Sequence, residues 1–432
     1  MRILGMGEHV NLGDMYLRLQ QEGHEVIVYA DDADARETMA GMLTVVDSWR
    51  DRLDWVRAAG DDGIIVFETA AHGELQDSLR AEGFHVVGNC ALGARLEEDR
   101  LFAQSVLAEH GMRTAAMHEF TGFDDAIRFV EIHRGRWVVK MTGGGYASWR
   151  NYVGVLDDGR DVLAVLRLQR DSWSYDETPR LVLMEHLQGV EIGVGAYFDG
   201  RRFLEPACLD WEHKRFFTGN LGELTGEMGT LVTYEGWEPL FAATLGRLTE
   251  LLAGSGYVGY INLNTIVNAD GVWPLEFTTR FGYPGYAILD ALHDCSWADI
   301  LRAMALGDRA SFPVHAGYAV GVVLTVPPFP YAFGYERLGR GAPVLFRDGM
   351  TSADRDNLHY GEVAMRGDVL VTSGSVGYVL VATGRGANAR AAQRAAYAVA
   401  EQVVIPNVRY RTDIAEQFIQ GDHRQLQAWG WM

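Results

Sequence analysis

Apolar positions in the first ninety residues fall into short continuous runs separated by glycines and by one amphipathic stretch. RILGMG at the start, HEVIVYA, GIIVF (63–67) and HVVGN (85–89) are too short for helices and read as buried strands. NLGDMYLRLQQEG between the first two has helical spacing, so strand, helix and strand alternate as in a small parallel sheet. The stretch 94–110, ARLEEDRLFAQSVLAEH, predicts a helix closed by Gly111, and another is expected around 123–133. From there the pattern becomes antiparallel. RWVVK (136–140) and RLVLMEHL (180–187) read as strands, and Asp199-Gly200 and Asp270-Gly271 each mark the turn of a hairpin. A helix is expected over 237–254. Beyond about 313, proline clusters and short strands with glycine turns end in the helix ANARAAQRAAYAVAEQV, which predicts a mostly β segment. The expected organisation is α/β over 1–95, α+β over 96–313 and a small accessory unit over 314–432.

Two glycine-rich segments have no periodicity and read as loops, TGGGYASW (142–149) and GNLGELTGEMGT (219–230). The first turn carries Gly5 and Gly7, but Val10 stands where a dinucleotide fingerprint needs its third glycine, so a glycine-tightened strand-to-helix turn is the favoured reading.

Composition narrows the function classes. A net charge of -20 without a basic cluster argues against a nucleic-acid partner. No run of about 18 apolar residues is present, so no membrane span or leader is expected, and the chain is expected in the cytoplasm. Three scattered cysteines suggest neither a disulfide framework nor a zinc site. The 38 basic residues include only two lysines, Lys140 and Lys214. Arginine serves surface solvation equally well, so the two exceptions mark positions where a compact ammonium is needed and a broad guanidinium is not.

Both lysines sit at ends of predicted strands, as do Glu185 and, on a hairpin arm, Glu276. Strand ends can aim several charges at one cleft, where lysine meets phosphate oxygens and a carboxylate holds Mg²⁺. Gly143, Gly144 and Gly145 would let backbone N–H groups approach phosphates closely. The strand reaching Leu187 offers backbone groups to an adenine edge, and Glu191 could accept from ribose hydroxyls. The joint pattern implies an ATP site.

In order and spacing, EEDRLFAQSVLAEHG, RWVVKMTGGG, RLVLMEHLQGVEIG, WEHKRFFTG, LTGEMGT, YVGYINLN and PLEFTTRFGYPG resemble the ATP-grasp ligases, and most of all the phosphoribosylamine–glycine ligase family. That resemblance implies an ATP-grasp fold, α/β and α+β, with an N-terminal Rossmann-like preATP-grasp domain and a small mostly β C-terminal domain. It implies ATP and Mg²⁺ or Mn²⁺ as cofactors and amide formation through an acyl phosphate. The substrates would be a small carboxylate, an amino acid such as glycine, and an amine. Monomer and homodimer are both left open.

Carried over by position, the resemblance places Arg100, Lys140, Glu185, Leu187, Glu191 and Lys214 at the nucleotide, and Lys214, Arg215 and Arg280 at the reaction. It places Glu276, Asn264 and Thr278 at the metal. Glu8, His213, Thr225, Gly226, Glu227, Met228, Gly229 and Arg280 fall at the substrate, the loop 219–229 acting as a lid. Several positions depart from the family. Arg150 is the candidate substitute for a missing loop lysine. Asn264 and Thr278 are neutral where a second acid or an amide is usual. GYPG at 282–285 lacks two carboxylates, and Glu227 adds one. Glu8, His9, His72 and Glu74 stand in the altered N-terminal turns. These departures favour an amine other than phosphoribosylamine. Two other readings remain, a regulatory ATP-binding protein without catalysis and a dinucleotide-dependent oxidoreductase.

Overall fold

The computed structural model describes residues 1–142, 150–174 and 176–432. Its N-terminal sheet is wholly parallel, in the spatial order Thr44–Val46, Glu25–Ala30, Arg2–Gly7, Gly63–Phe67 and His85–Val87. The central strands are apolar on both faces because both faces are covered. Ile3, Val28 and Val66 join the main core on one side, and Leu4, Ile65 and Phe67 meet Trp49, Val56 and Leu79 on the other. Gly5 needs to be glycine, since a Cβ there would lie 2.4 Å from the Tyr16 ring, which the helix Gly13–Gln21 lays across the strand. Close packing of helix on strand therefore accounts for Gly5, while at Gly7 a Cβ would lie 2.6 Å from His9 O and 2.8 Å from the Glu68 carboxylate.

A four-stranded antiparallel sheet follows, ordered Met117–Thr121, Arg180–Glu185, Trp137–Thr142 and Tyr152–Val153. The helices Phe123–Ile132 and Arg160–Asp171 cover one face with a core of their own, built from Phe123, Ile127, Val139, Leu166 and Leu183. This lobe thus shares no buried apolar cluster with the rest, among the described residues.

The third sheet has eight strands, in the order Gly271–Thr278, Gly259–Asn268, Val190–Phe198, Cys208–Glu212, Gly229–Thr233, Tyr318–Thr325, Tyr378–Gly386 and Leu358–Tyr360. It runs across the boundary expected near 314, because Gly229–Thr233 pairs directly with Tyr318–Thr325. One hydrophobic core extends from Ile3 through Leu263 to Leu426. Short strands beyond 313 were legible in the sequence; which strands they would pair with was not.

Other differences are local. The helix expected over 94–110 breaks at Asp99, whose carboxylate caps a second helix, Arg100–Glu109, by accepting from the Phe102 N–H at 3.0 Å. The helix expected over 237–254 is divided into Glu238–Ala243, a 3₁₀ turn and Thr249–Ala253. The stretch 219–230 is not simply loop: Leu221–Leu224 pairs with Arg215–Phe217 in a short hairpin.

The N- and C-terminal parts are tied by a buried charge cluster. Asp14 accepts from Arg18 Nε at 2.7 Å and from the Tyr360 N–H at 3.1 Å, and its Oδ2 lies 2.9 Å from His359 Nδ1. Burial alone would raise the Asp14 carboxyl, but His359 and Arg18 outweigh it and hold the group below its usual value. Its stabilisation is therefore present above the unfolded value of 3.8 and is lost as pH falls through the lower folded value. Asp14→Ala leaves buried His359 without its acceptor and is expected to cost about 3–5 kcal/mol in urea denaturation at pH 7, with a smaller cost under strongly acidic conditions.

Candidate functional site

Between the four-stranded lobe and the eight-stranded sheet lies a cleft of about 720 Å³, within the size range of small-molecule sites. Val138, Val153 and Met184 line it from one sheet, and Ile266 and Leu275 from the other. This leaves an apolar slot at one end. Charged groups gather at the other end.

Glu276 is the centre of that charge. Its Oε2 lies 2.8 Å from Arg100 Nη2 and 3.9 Å from Lys140 Nζ, and its Oε1 lies 3.5 Å from Lys214 Nζ. Lys140, outweighing burial, together with Lys214 and Arg100 holds the Glu276 carboxyl well below the usual range. Lys214 also meets Glu212 at 3.1 Å and Glu191 at 3.2 Å. Burial would lower its ammonium, yet these carboxylates, led by Glu212, raise it well above its ordinary value. Lys140 behaves differently. Glu276 raises it, but burial with Arg100 and Lys214 nearby leaves the net shift downward. Three cations from three separate elements thus surround one carboxylate.

Glu185, Leu187, Glu191, His213, Arg215 and Thr225 also line the cleft. Several of these are already committed to the scaffold. The N–H of Glu185 bonds Ala116 O, joining the edge strand. Arg215 donates to Gly222 O at 2.7 Å across its hairpin. His213 Nε2 accepts from the Ala415 N–H at 3.2 Å, and burial with Arg411 nearby brings the imidazole down to about 4, so it is neutral at pH 7. Thr225 Oγ1 donates to Lys214 O at 2.8 Å, which pins the start of the 225–229 segment.

Other expected residues lie elsewhere. Gly143, Gly144, Gly145 and Trp149 fall outside the described residues. Arg150 is buried against Trp173, with its guanidinium carbon 5.5 Å from the ring centroid, and is not among the described residues lining the cleft. Met228 is buried with Phe216 and Phe329, its N–H bonded to His213 O at 2.8 Å. Gly229 serves close strand packing: a Cβ there would lie 2.4 Å from Gly321 O. The expected lid over 219–229 is held down, through Arg411 Nη2 donating to Asn220 Oδ1 at 2.7 Å and the hairpin already described. Asn264 stands opposite Glu276 in the hairpin register, but its amide donates to Glu212 at 3.0 Å. Thr278 lines a separate small cavity with Glu227.

Some contributors were missed in the sequence. Glu212, two residues before Lys214 at the end of its strand, could have been read from WEHKR, where an acid stands close to the lysine in sequence. His186 was hidden by its position at a strand end. Gln417, Phe418 and Asp422 reach the cleft from the far end of the chain, with the Phe418 ring tilted against Trp211 at a centroid distance of 4.4 Å, and no local signal announces them.

A second cavity of about 330 Å³ adjoins the cleft at Gly226. Glu8, His9, Glu68, Arg280 and Tyr283 line it. Arg280 is paired to Glu97 at 3.1 Å. His72 is not part of it, lining instead a pocket with Asp31. Glu68 accepts from the Asn11 N–H at 2.6 Å, yet burial outweighs its hydrogen bonds and pushes the carboxyl up to about 8.

A nucleotide-sized cleft between two antiparallel sheets, with converging cations at one end, defines the class of the ATP-grasp proteins. Residues 98–286 match the family model for the phosphoribosylglycinamide synthetase ATP-grasp (A) domain. These residues carry the ATP-grasp domain, and the chain as a whole is similar to phosphoribosylamine–glycine ligases. It is 27% identical to the phosphoribosylamine–glycine ligase of Ralstonia nicotianae over 355 residues, 80% of this chain and 81% of the relative. It is likewise 27% identical to that of Streptococcus pneumoniae over 358 residues, 80% and 81% of the two chains. Among solved structures, the phosphoribosylamine–glycine ligase of Thermotoga maritima aligns with a TM-score of 0.72 at 22% identity, covering 96% of this chain and 100% of that one. The biotin carboxylase domain of Hydrogenobacter thermophilus 2-oxoglutarate carboxylase shares the fold at a TM-score of 0.64 and 12% identity, covering 99% and 97%.

The position of Glu68 gives a pH dependence with a definite sign. Between the unfolded value of 4.5 and the folded value of about 8, the native protein keeps a proton that the unfolded chain has lost. Unfolding free energy therefore falls as pH rises through this window. Glu68→Gln is expected to flatten that slope in denaturation curves measured from pH 5 to 8.

Proposed function

We propose that the chain is an ATP-dependent carboxylate–amine ligase that forms an amide through an acyl phosphate. The convergence of Arg100, Lys140 and Lys214 on Glu276 carries this reading. Three cations held around one carboxylate form a site ready for a polyanion: incoming phosphates take over the cations, and Glu276 is freed.

The apolar slot formed by Val138, Met184, Ile266 and Leu275 suits an adenine ring, with Glu185 to Leu187 along its edge and Glu191 near the ribose. Lys140 and Lys214 would then hold the β- and γ-phosphates as compact point charges. No cluster of three or more His, Cys, Asp or Glu among the described residues is arranged to hold a metal. A divalent ion carried by a nucleotide needs only one or two protein carboxylates, and Glu276 with Glu212, both against Lys214, supplies them. Such an ion would neutralise phosphate charge during transfer. Asn264 and Thr278 are not needed for this role.

The substrate carboxylate would attack the γ-phosphorus in line, with Lys214 and Arg100 spreading the developing charge. The amine then attacks the acyl carbon, and inorganic phosphate leaves. The small lobe, whose core is separate, is the element able to close over the cleft and exclude water from the acyl phosphate. Substrates would enter through the cavity joined at Gly226, where Arg280 stands. No helix among the described residues is long and apolar enough to cross a membrane.

The test is ADP release with ATP, Mg²⁺ and paired panels of small carboxylates and amines, alongside nucleotide affinity. Lys140→Met is expected to weaken ATP binding by about tenfold or more, the scale of one charge-assisted hydrogen bond. Unchanged nucleotide affinity in that variant would overturn the site. ATP binding with no ADP released by any pair would establish the non-catalytic reading instead.

A further inference from the structure

Beside the cleft, between Cys208–Glu212 and the 225–230 segment, is a cavity of about 40 Å³. Asp210, Glu212, Glu227, Thr230, Asn262 and Thr278 face it. Glu212 lines both this cavity and the nucleotide cleft. The cavity is built into the sheet, not left at its surface. Asp210 is 5% exposed, Glu227 6% and Thr230 2%. Gly193 stands opposite Asp210 in the strand register, and a Cβ there would lie 2.3 Å from the carboxylate, so the glycine makes room for the charge.

These carboxylates are short of partners. Asp210 Oδ2 accepts from Asn262 Nδ2 at 2.5 Å, but Asp210 Oδ1, Glu227 Oε1 and Thr230 Oγ1 have no hydrogen-bond partner among the described residues. The nearest cation, Lys214, is already shared by Glu191, Glu212 and Glu276. Burying acceptors without donors is costly, and two such carboxylates side by side cost more. On the far wall, a Cβ at Gly282 or Gly285 would meet nothing within 4 Å. The space exceeds that of one water and admits an ammonium with its first carbons, but not a sugar phosphate.

We propose that this cavity binds the ammonium group of an unphosphorylated small substrate, with Asp210 and Glu227 as its acceptors. The inference rests on the ligase reading and specifies its substrate class. A primary ammonium brings three donors, which matches the three orphaned oxygens. Anchored there, it would lie beside Glu212 and hence next to Lys214, where phosphoryl transfer is placed. The ammonium could belong to an amino acid serving as the carboxylate substrate, or to the amine that attacks.

Calorimetric titration of the full chain, with Mg²⁺ and a non-hydrolysable ATP analogue, separates these cases. The probes are glycine, acetate, ethylamine and O-phosphoethanolamine. Binding of ethylamine assigns the cavity to the amine. Binding of glycine, with neither acetate nor ethylamine bound, assigns it to an amino acid. In either case Asp210→Asn and Glu227→Gln should weaken the ammonium probe at least tenfold while leaving the analogue's affinity unchanged. Gly285→Ala, which narrows the far wall without touching a carboxylate, should weaken it too, and thermal melting checks that each variant is folded. The inference fails if no ammonium probe binds, if the folded variants bind as the wild type does, or if O-phosphoethanolamine binds as well as ethylamine. It also fails if Mg²⁺ alone gives a response that Asp210→Asn abolishes, since the cavity would then be a metal site. If the analogue itself does not bind the wild type, the ligase reading falls and takes this inference with it.

Discussion

The charge balance around Glu276 is the constraint on which the site depends. Arg100 comes from a helix, Lys140 from the small sheet, Glu276 from a strand of the large one, and Lys214 from the connection that follows Cys208–Glu212. Four charged groups taken from four elements can meet at these distances only if the two sheets hold a fixed separation. Each cation is half-buried, and without Glu276 their mutual repulsion would act in a medium of reduced dielectric. The carboxylate therefore organises the cleft when no phosphate is present, and it is positioned to give up its partners when one arrives.

The sheet behind it explains how this arrangement is kept rigid. Val190–Phe198 is central, paired on both sides by Cys208–Glu212 and Gly259–Asn268, and its residues are almost all buried. The same sheet continues into the C-terminal strands, so the wall that carries Glu212 and Lys214 is anchored through Gly229–Thr233 to Tyr318–Thr325 and beyond. By contrast, the small lobe is held together by a core of its own. A rigid wall facing a lobe with a separate core is an arrangement in which a movement of the lobe leaves the charged groups of the wall undisturbed.

The acidic cavity shows how far the substrate side differs in character from the nucleotide side. At the charged end of the cleft Arg100, Lys140 and Lys214 are gathered around Glu276. In the adjoining small cavity, Asp210 and Glu227 bring two carboxylates together. Glu212 stands between the two, facing both spaces. Such a juxtaposition separates an anionic reactant from a cationic one within a single site.

Much of this was legible in the sequence because it is encoded locally. Buried strands announce themselves by short apolar runs, hairpins by Asp-Gly turns, and two cations of the cleft by the two lysines kept in a chain otherwise rich in arginine. Lys140, Glu185, Glu191, Lys214 and Glu276 could be named before any contact was known, and all five line one cleft. Other features could not be foreseen. The direction in which Met228 and Arg150 face, the commitment of Asn264 to Glu212, and the approach of Phe418 across some two hundred residues of sequence are settled by long-range pairing. Residue type and spacing determine which groups are available for chemistry. Which of them share a cavity, and which acceptors are left without donors, depends on strand partners and registers that only the folded sheet decides, because the hydrogen bonds and packing that select them join residues distant in the chain.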